Sequence, residues 1–114
     1  MTLATAPEAP FGRMMTAMAT AFAADGSVDL DQTAAIAGHL VDNGHDGVVV
    51  SGTTGESPTT SVFEDGEILR VVKDAVGHRA KVVAGVGTNA TAHSVELARQ
   101  AEKLGADGLL LVTP

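Results

Sequence analysis

Apolar residues gather in four short runs, at positions 14–22, 47–50, 82–86 and 108–112. Each run is aliphatic or β-branched and is bounded by Gly or Asp. That is the pattern of strands buried on both faces. Three segments between the runs carry apolar residues at helical spacing. In the first, Leu30, Ala34, Ala37, Leu40 and Val41 share one face, with Asp29 as cap and Gly44 just past the end. In the second, Ser61 and Glu64 form a Ser-x-x-Glu capping box, and Ile68, Leu69, Val72 and Val76 follow on one face up to Gly77. Gly66 inside this segment weakens the helix by about 1 kcal/mol relative to Ala. In the third, Asn89 or Thr91 serves as cap, Val95, Ala98, Ala101 and Leu104 form the apolar face, and Gly105 stops the helix.

The predicted order is β-α-β-α-β-α-β. Strands begin near Met15, Val48, Val82 and Leu109, a period of roughly 30 residues, which is one βα unit. A local repeat supports it. Gly44-His45-Asp46-Gly47-Val48-Val49-Val50 resembles Gly105-Ala106-Asp107-Gly108-Leu109-Leu110-Leu111. Each is a helix stop, an Asp-Gly turn and a buried strand. An open doubly wound sheet and a closed (β/α)8 barrel both use this alternation. No helical segment follows the fourth strand before Thr113-Pro114, so an apolar edge is left open. The expectation is therefore a truncated chain. Residues 11–114 would form the N-terminal half of a (β/α)8 barrel, with four strands and three helices. Residues 1–10 would form a disordered tail.

Composition narrows the function. The 7 basic residues against 14 acidic ones, with neither Tyr nor Trp, suit nucleic acid poorly. With no Cys there are no disulfides and no thiolate metal sites, which fits a reducing, cytoplasmic compartment. No apolar run approaches the roughly 20 residues of a membrane helix. Residues 1–10 lack the basic start and apolar middle of a secretory signal.

The most informative chemistry lies in Gly52-Thr53-Thr54-Gly55-Glu56-Ser57, directly after a strand. The two glycines permit backbone conformations closed to other residues and a close ligand approach. Successive N–H groups in such a turn form an anion-binding nest, and Thr53 and Thr54 add hydroxyls. The bland alternative is an ordinary βα connection with capping hydroxyls. Glu56 is read as structural, bonded to loop backbone or a neighbouring strand, with a general base as the alternative. Gly85-Val86-Gly87-Thr88-Asn89-Ala90 has the form of a dinucleotide fingerprint. The acid that the fingerprint needs after the next strand is missing, so a tight loop lining the pocket is expected instead. Lys73, Lys81 and Lys103 all lie away from strand C-terminal ends, where a Schiff-base lysine belongs. His39, His45, His78 and His93 show no metal spacing, and only His93 is placed to border the pocket. The carboxylates form no paired constellation, and no metal is expected.

Taken together, Phe11-Gly12-Arg13, Thr16-Ala17-Met18, Asp25-Gly26, the Gly-Thr-Thr-Gly-Glu-Ser turn, Ala84-Gly85-Val86-Gly87-Thr88-Asn89 and Leu111-Val112-Thr113-Pro114 resemble the dihydrodipicolinate synthase family. The resemblance runs in register from Phe11 to the end. The Gly-Thr-Thr-Gly-Glu core marks the wider pyruvate-dependent aldolases. Ser57 and the Gly-Thr-Asn segment favour the synthase. The resemblance implies a lysine Schiff base with pyruvate and attack of the enamine on aspartate semialdehyde, with no cofactor. It implies that Thr53 relays a proton and that Thr54 binds the pyruvate carboxylate. It also implies a homo-oligomer, a dimer or a tetramer.

This chain departs from the family in several ways. The Schiff-base lysine, both relay tyrosines and the arginine for the second substrate match nothing here, so the chain alone is expected to be inactive. Thr20-Ala21-Phe22 stands where relatives have Thr-Pro-Phe, and the turn is expected to change slightly. Some members are inhibited by lysine. Asn89 matches one residue of their site, but Val62, Asp65 and His93 replace two histidines and a glutamate. Weak or absent lysine feedback is the expectation. Two rivals remain: another pyruvate-dependent aldolase, such as N-acetylneuraminate lyase or a keto-deoxy-sugar aldolase, and a non-catalytic anion-binding half-barrel.

Overall fold

The structure, a computed structural model, describes residues 9–112. Most of the expected tail, and Thr113-Pro114, lie outside the described residues. Within them the chain runs β1 (Met15–Ala17), α1 (Leu30–Asp42), β2 (Gly47–Val50), α2 (Val62–Val76), β3 (Lys81–Gly85), α3 (Thr91–Lys103) and β4 (Gly108–Leu110). The alternation read from the pattern holds for every element.

The first two helices begin and end as their sequences dictate. The Asp29 carboxylate accepts the Gln32 amide at 3.0 Å and caps α1, and Gly44 beyond its end has φ +93°. Only a residue free of a Cβ penalty takes that conformation readily. Both halves of the Ser61/Glu64 capping box are made, at 3.1 and 2.8 Å. Such a cap contributes about 1 kcal/mol.

Gly66 gains a reason that its helix propensity hides. A Cβ there would lie 3.1 Å from the Gln100 amide group, and Gln100 Nε2 donates to the Val62 carbonyl at 3.0 Å. The glycine lets α3 approach the first turn of α2. The third helix corrects two expectations. Its N-cap is Ala90, which has no side-chain cap bond, so neither Asn89 nor Thr91 caps it. Thr88 and Ser94 tie the entry together instead: Ser94 Oγ accepts the Thr88 amide at 2.9 Å, and the two hydroxyls lie 3.0 Å apart. Its buried residues are Leu97 and Ala101, whereas Val95 is exposed.

The first strand is shorter than its apolar run. Beyond β1, the Met18 amide still reaches the Val49 carbonyl at 3.1 Å, but the Ala21 amide donates to Thr33 Oγ1. Side chains have replaced the neighbouring strand as partners, and the ladder ends. Proline has no N–H to make the Ala21 bond. The departure at Thr20-Ala21-Phe22 therefore adds a link between this turn and α1.

The four strands pair in parallel in the order β1-β2-β3-β4. This order chooses between the two folds that the alternation left open. A doubly wound sheet reverses its strand order, which puts helices on both faces. Sequential order with right-handed crossovers keeps every helix on one face. Accordingly α1 packs on α2, and α2 on α3. The sheet is part of a (β/α)8 barrel. Val48, Val50, Val82 and Ala84 point to the helices and meet Ile68, Leu69, Val72 and Val76 in one buried cluster. On β4 and just beyond, Leu109, Leu110, Leu111 and Val112 are exposed, as expected of an open edge.

The two repeated turns do the same work. The Asp46 carboxylate accepts the amides of Arg13 and Met14 at 2.7 and 2.8 Å. Those amide bonds hold its carboxyl below the usual range. Asp107 accepts the Val82 amide at 2.8 Å and also takes Lys73 Nζ at 3.3 Å. Each aspartate pins the start of the preceding strand. The repeat is a strand-registration device at the bottom of the sheet, remote from the C-terminal ends.

Candidate active site

A cleft of about 540 Å³ opens at the C-terminal ends of β2, β3 and β4. One wall is Ser51, Gly52, Thr53, Ser57 and Pro58, and the other is Gly85, Gly87, Thr88 and Asn89. Leu110 and Val112 complete it. No charged side chain lines it, so an anion here would be held by amides and hydroxyls.

The conformation of the 52–57 turn differs from the sequence reading. Neither Gly52 nor Gly55 is left-handed. The positive φ values belong to Ser51 (56°) and Glu56 (63°), at its two ends. Such backbone costs about 1–3 kcal/mol at a non-glycine residue and persists where the surroundings impose it. Here the bonds of Glu56 N to the Thr53 carbonyl (3.0 Å) and of Ser57 N to the Gly52 carbonyl (3.2 Å) close the turn. The amides of Thr53 and Thr54 donate to nothing among the described residues. They leave two adjacent N–H groups free to receive an anion.

The glycines serve close packing instead. A Cβ on Gly55 would sit 3.1 Å from Thr20 Oγ1 and 3.2 Å from the Met18 carbonyl. Thr20, which is buried, donates its hydroxyl to the Gly55 carbonyl at 2.8 Å and ties the turn to the end of the first apolar run. Sequence reasoning named Thr20 only within the Thr20-Ala21-Phe22 departure and gave it no role at the 52–57 turn. The available signal was its place at the end of that run. The Gly-x-Gly segment answers likewise. A Cβ on Gly85 would lie 2.3 Å from the Ser51 carbonyl, and one on Gly87 would lie 2.3 Å from the Val112 amide. These glycines bring neighbouring strand ends together. The segment is the expected tight loop beside the pocket.

Thr53 is exposed and lines the cleft; Thr54, also exposed, stands in the turn but outside the lining. Glu56 corrects an expectation. Its backbone closes the turn and accepts the Thr59 hydroxyl, while its exposed side chain has no hydrogen bond among the described residues. None of the three lysines lines the cleft. Lys73 is engaged by Asp107, Lys81 opens β3 and Lys103 closes α3. His39 ends α1, His45 contacts the Thr16 hydroxyl through Nδ1, and His78 lies in a groove at the sheet bottom. His93, in the first turn of α3, does not line the cleft either. No cluster of His, Asp and Glu suited to a metal ion occurs among the described residues, and no helix there is long and apolar enough to cross a membrane.

Behind the turn lies a polar group that the sequence did not announce. Ser51 is 4% exposed, and its hydroxyl has no partner among the described residues. Asp65, half-buried on α2, accepts the Thr60 hydroxyl at 2.5 Å. Burial pushes its carboxyl above the usual range; the Thr60 and Ser51 hydroxyls oppose that, Glu64 adds to it, and His93 opposes it. Ser51 and Asp65 line one small cavity behind the turn, and no direct hydrogen bond satisfies the Ser51 hydroxyl there.

A family model described as the dihydrodipicolinate synthetase family matches residues 10–114. The 4-hydroxy-tetrahydrodipicolinate synthase 2 of Streptomyces coelicolor is 63% identical over 108 residues, 95% of this chain and 36% of that protein. The 4-hydroxy-tetrahydrodipicolinate synthase of Acidothermus cellulolyticus is 65% identical over 106 residues, 93% of this chain and 34% of that protein. The structure of the enzyme from Cyanidioschyzon merolae, solved with lysine bound, superposes with a TM-score of 0.89 at 44% identity, over 92% of this chain and 36% of that one. The chain thus spans about a third of the length of the relatives it matches.

Proposed function

This chain belongs to the dihydrodipicolinate synthetase family, and we propose that the longer protein it is part of condenses pyruvate with aspartate semialdehyde to 4-hydroxy-tetrahydrodipicolinate. The observation that carries this is the uncharged cleft at the strand ends, bordered by Thr53 with its free amide, and with the free amide of Thr54 next to it in the same turn. Free amides and a hydroxyl suit a small carboxylate. In this reading Thr54 holds the pyruvate carboxylate. A lysine elsewhere in the protein condenses with the keto carbon and releases water. Loss of a methyl proton gives the enamine, whose carbon attacks the aldehyde. Thr53 passes protons to and from the reacting groups, and cyclisation releases the lysine. The protein works in the cytoplasm as a homo-oligomer.

Borohydride reduction in the presence of pyruvate tests the proposal. The full-length protein is expected to gain one reduced pyruvyl group on a lysine other than Lys73, Lys81 or Lys103. The 114-residue chain alone is expected to gain none and to show no synthase activity. An adduct on one of those three lysines would overturn the assignment.

Lysine feedback is proposed to be weak or absent. Asn89 stands at the cleft, but Asp65 is committed to Thr60, and His93 brings an imidazole where inhibited relatives carry a carboxylate. Full-length protein assayed in millimolar lysine should keep most of its activity. Near-complete inhibition would refute this.

A further inference from the structure

Three observations meet behind the 52–57 turn. First, Ser51 is held in the left-handed region at φ 56°, where a serine is strained, yet it is 4% exposed and its hydroxyl has no partner among the described residues. Buried hydroxyls are ordinarily satisfied, by protein or by an ordered water. Second, a cavity of about 10 Å³ lies between Ser51, Asp65 and Gln100, with apolar walls that include Leu69, Val86 and Leu97. That is about the smallest volume that accepts one water, and a water needs two to four polar partners to stay. Third, those partners converge there. Ser51 Oγ can donate or accept, and the Asp65 carboxylate has lone pairs left after binding Thr60. Gln100 uses Nε2 on the Val62 carbonyl, which leaves its amide oxygen as an acceptor.

We infer that Asp65 is a positioning residue for Thr53, acting through one buried water that bridges its carboxylate to the Ser51 hydroxyl. Ser51 is two residues before Thr53, and its left-handed backbone sets the direction in which the turn leaves β2. The Thr60 hydroxyl fixes the carboxylate from the other side, so the turn is held from α2 as well as from Thr20. The water donates one hydrogen to the carboxylate and one to the Gln100 oxygen, and it accepts from Ser51. Ser51 Oγ, the buried side-chain polar atom left without a partner among the described residues, is then satisfied.

The inference rests on the proposed pyruvate chemistry only for its kinetic readout. The test uses the full-length protein and its Asp65→Ala, Asp65→Asn, Ser51→Ala and Asp65→Ala/Ser51→Ala variants. A high-resolution crystal structure of the wild type should hold one water within hydrogen-bond distance of Ser51 Oγ and Asp65. Asp65→Ala should lower kcat/KM for pyruvate about tenfold through a looser turn. Asp65→Asn, which still accepts hydrogen bonds, should recover most of it. The double variant should be no worse than the poorer single one, because both changes break one link. Amide exchange at Glu56 and Ser57, whose N–H groups close the turn, should quicken in Asp65→Ala and return towards wild type in Asp65→Asn. A wild-type structure without that water would overturn the inference. So would additive single effects, or exchange and kcat/KM unchanged in folded Asp65→Ala. If wild type traps no pyruvate while the water and the exchange changes are found, the proposed reaction fails and the anchor stands.

Discussion

Thr53→Val in the full-length protein is expected to lower kcat by roughly 100-fold, the scale of losing one positioned proton-transfer group. Valine nearly matches threonine in shape, and the Thr53 carbonyl still accepts the Glu56 amide, so the turn keeps its closure. What disappears is the hydroxyl at the cleft. No side chain among the described residues takes that hydroxyl as a partner, which leaves it free to exchange protons with a substrate. The effect should fall mainly on kcat, because the free amides proposed to receive the carboxylate are backbone groups and remain. Thr53→Ser should recover much of the loss. Steady-state kinetics with pyruvate varied, at saturating aldehyde, decide the matter. A Thr53→Val enzyme whose kcat stays within threefold of wild type would remove Thr53 from the relay.

The largest stability effect is expected at Gly85. An added methyl would lie 2.3 Å from the Ser51 carbonyl oxygen and 3.0 Å from the Gly52 Cα. Both are backbone atoms of the neighbouring strand end, so no side chain can swing away. Strands β2 and β3 must separate where the cleft begins, at a cost of about 3 kcal/mol. Urea unfolding of full-length Gly85→Ala should show a midpoint shift of that size, with activity falling as the two walls part. Gly38→Ala is the control. Position 38 lies inside α1 with nothing within 4 Å of a new Cβ, and the change should stabilise by about 1 kcal/mol. If Gly85→Ala unfolds like wild type, the close approach of these strand ends is not rigid.

Much of this fold is legible in the sequence because its signals are local. The Ser61/Glu64 box, the Asp29 cap and the glycines after α1 and α3 act within a turn of where they stand, and all appear as read. The 47–50 run is apolar on both faces and becomes a strand with those limits. The third helix is misread for the opposite reason. Ala98, Ala101 and Leu104 pack inward as read, but Val95 shares their spacing, and only the packing of α3 on α2 decides that Leu97 faces inward and Val95 outward. The first run, 14–22, looks like one long strand because nothing in its composition reveals that Thr20 and Ala21 bond to Gly55 and Thr33.

The sequence by itself determined that this chain alternates strands and helices, that the 52–57 turn ends a buried strand, and that its hydroxyls and amides suit an anion. Those properties depend on periodicity, capping and residue chemistry, which are written along the chain. Tertiary structure alone decided the sequential strand order, which makes a barrel wall rather than a doubly wound sheet. It also moved the strain of the turn from Gly52 and Gly55 to Ser51 and Glu56, and gave the glycines the task of close packing. Thr20, Asp65 and Gln100 are 31, 14 and 49 residues from Ser51 along the chain. Their convergence behind one loop depends on how strands and helices pack, which no local pattern records.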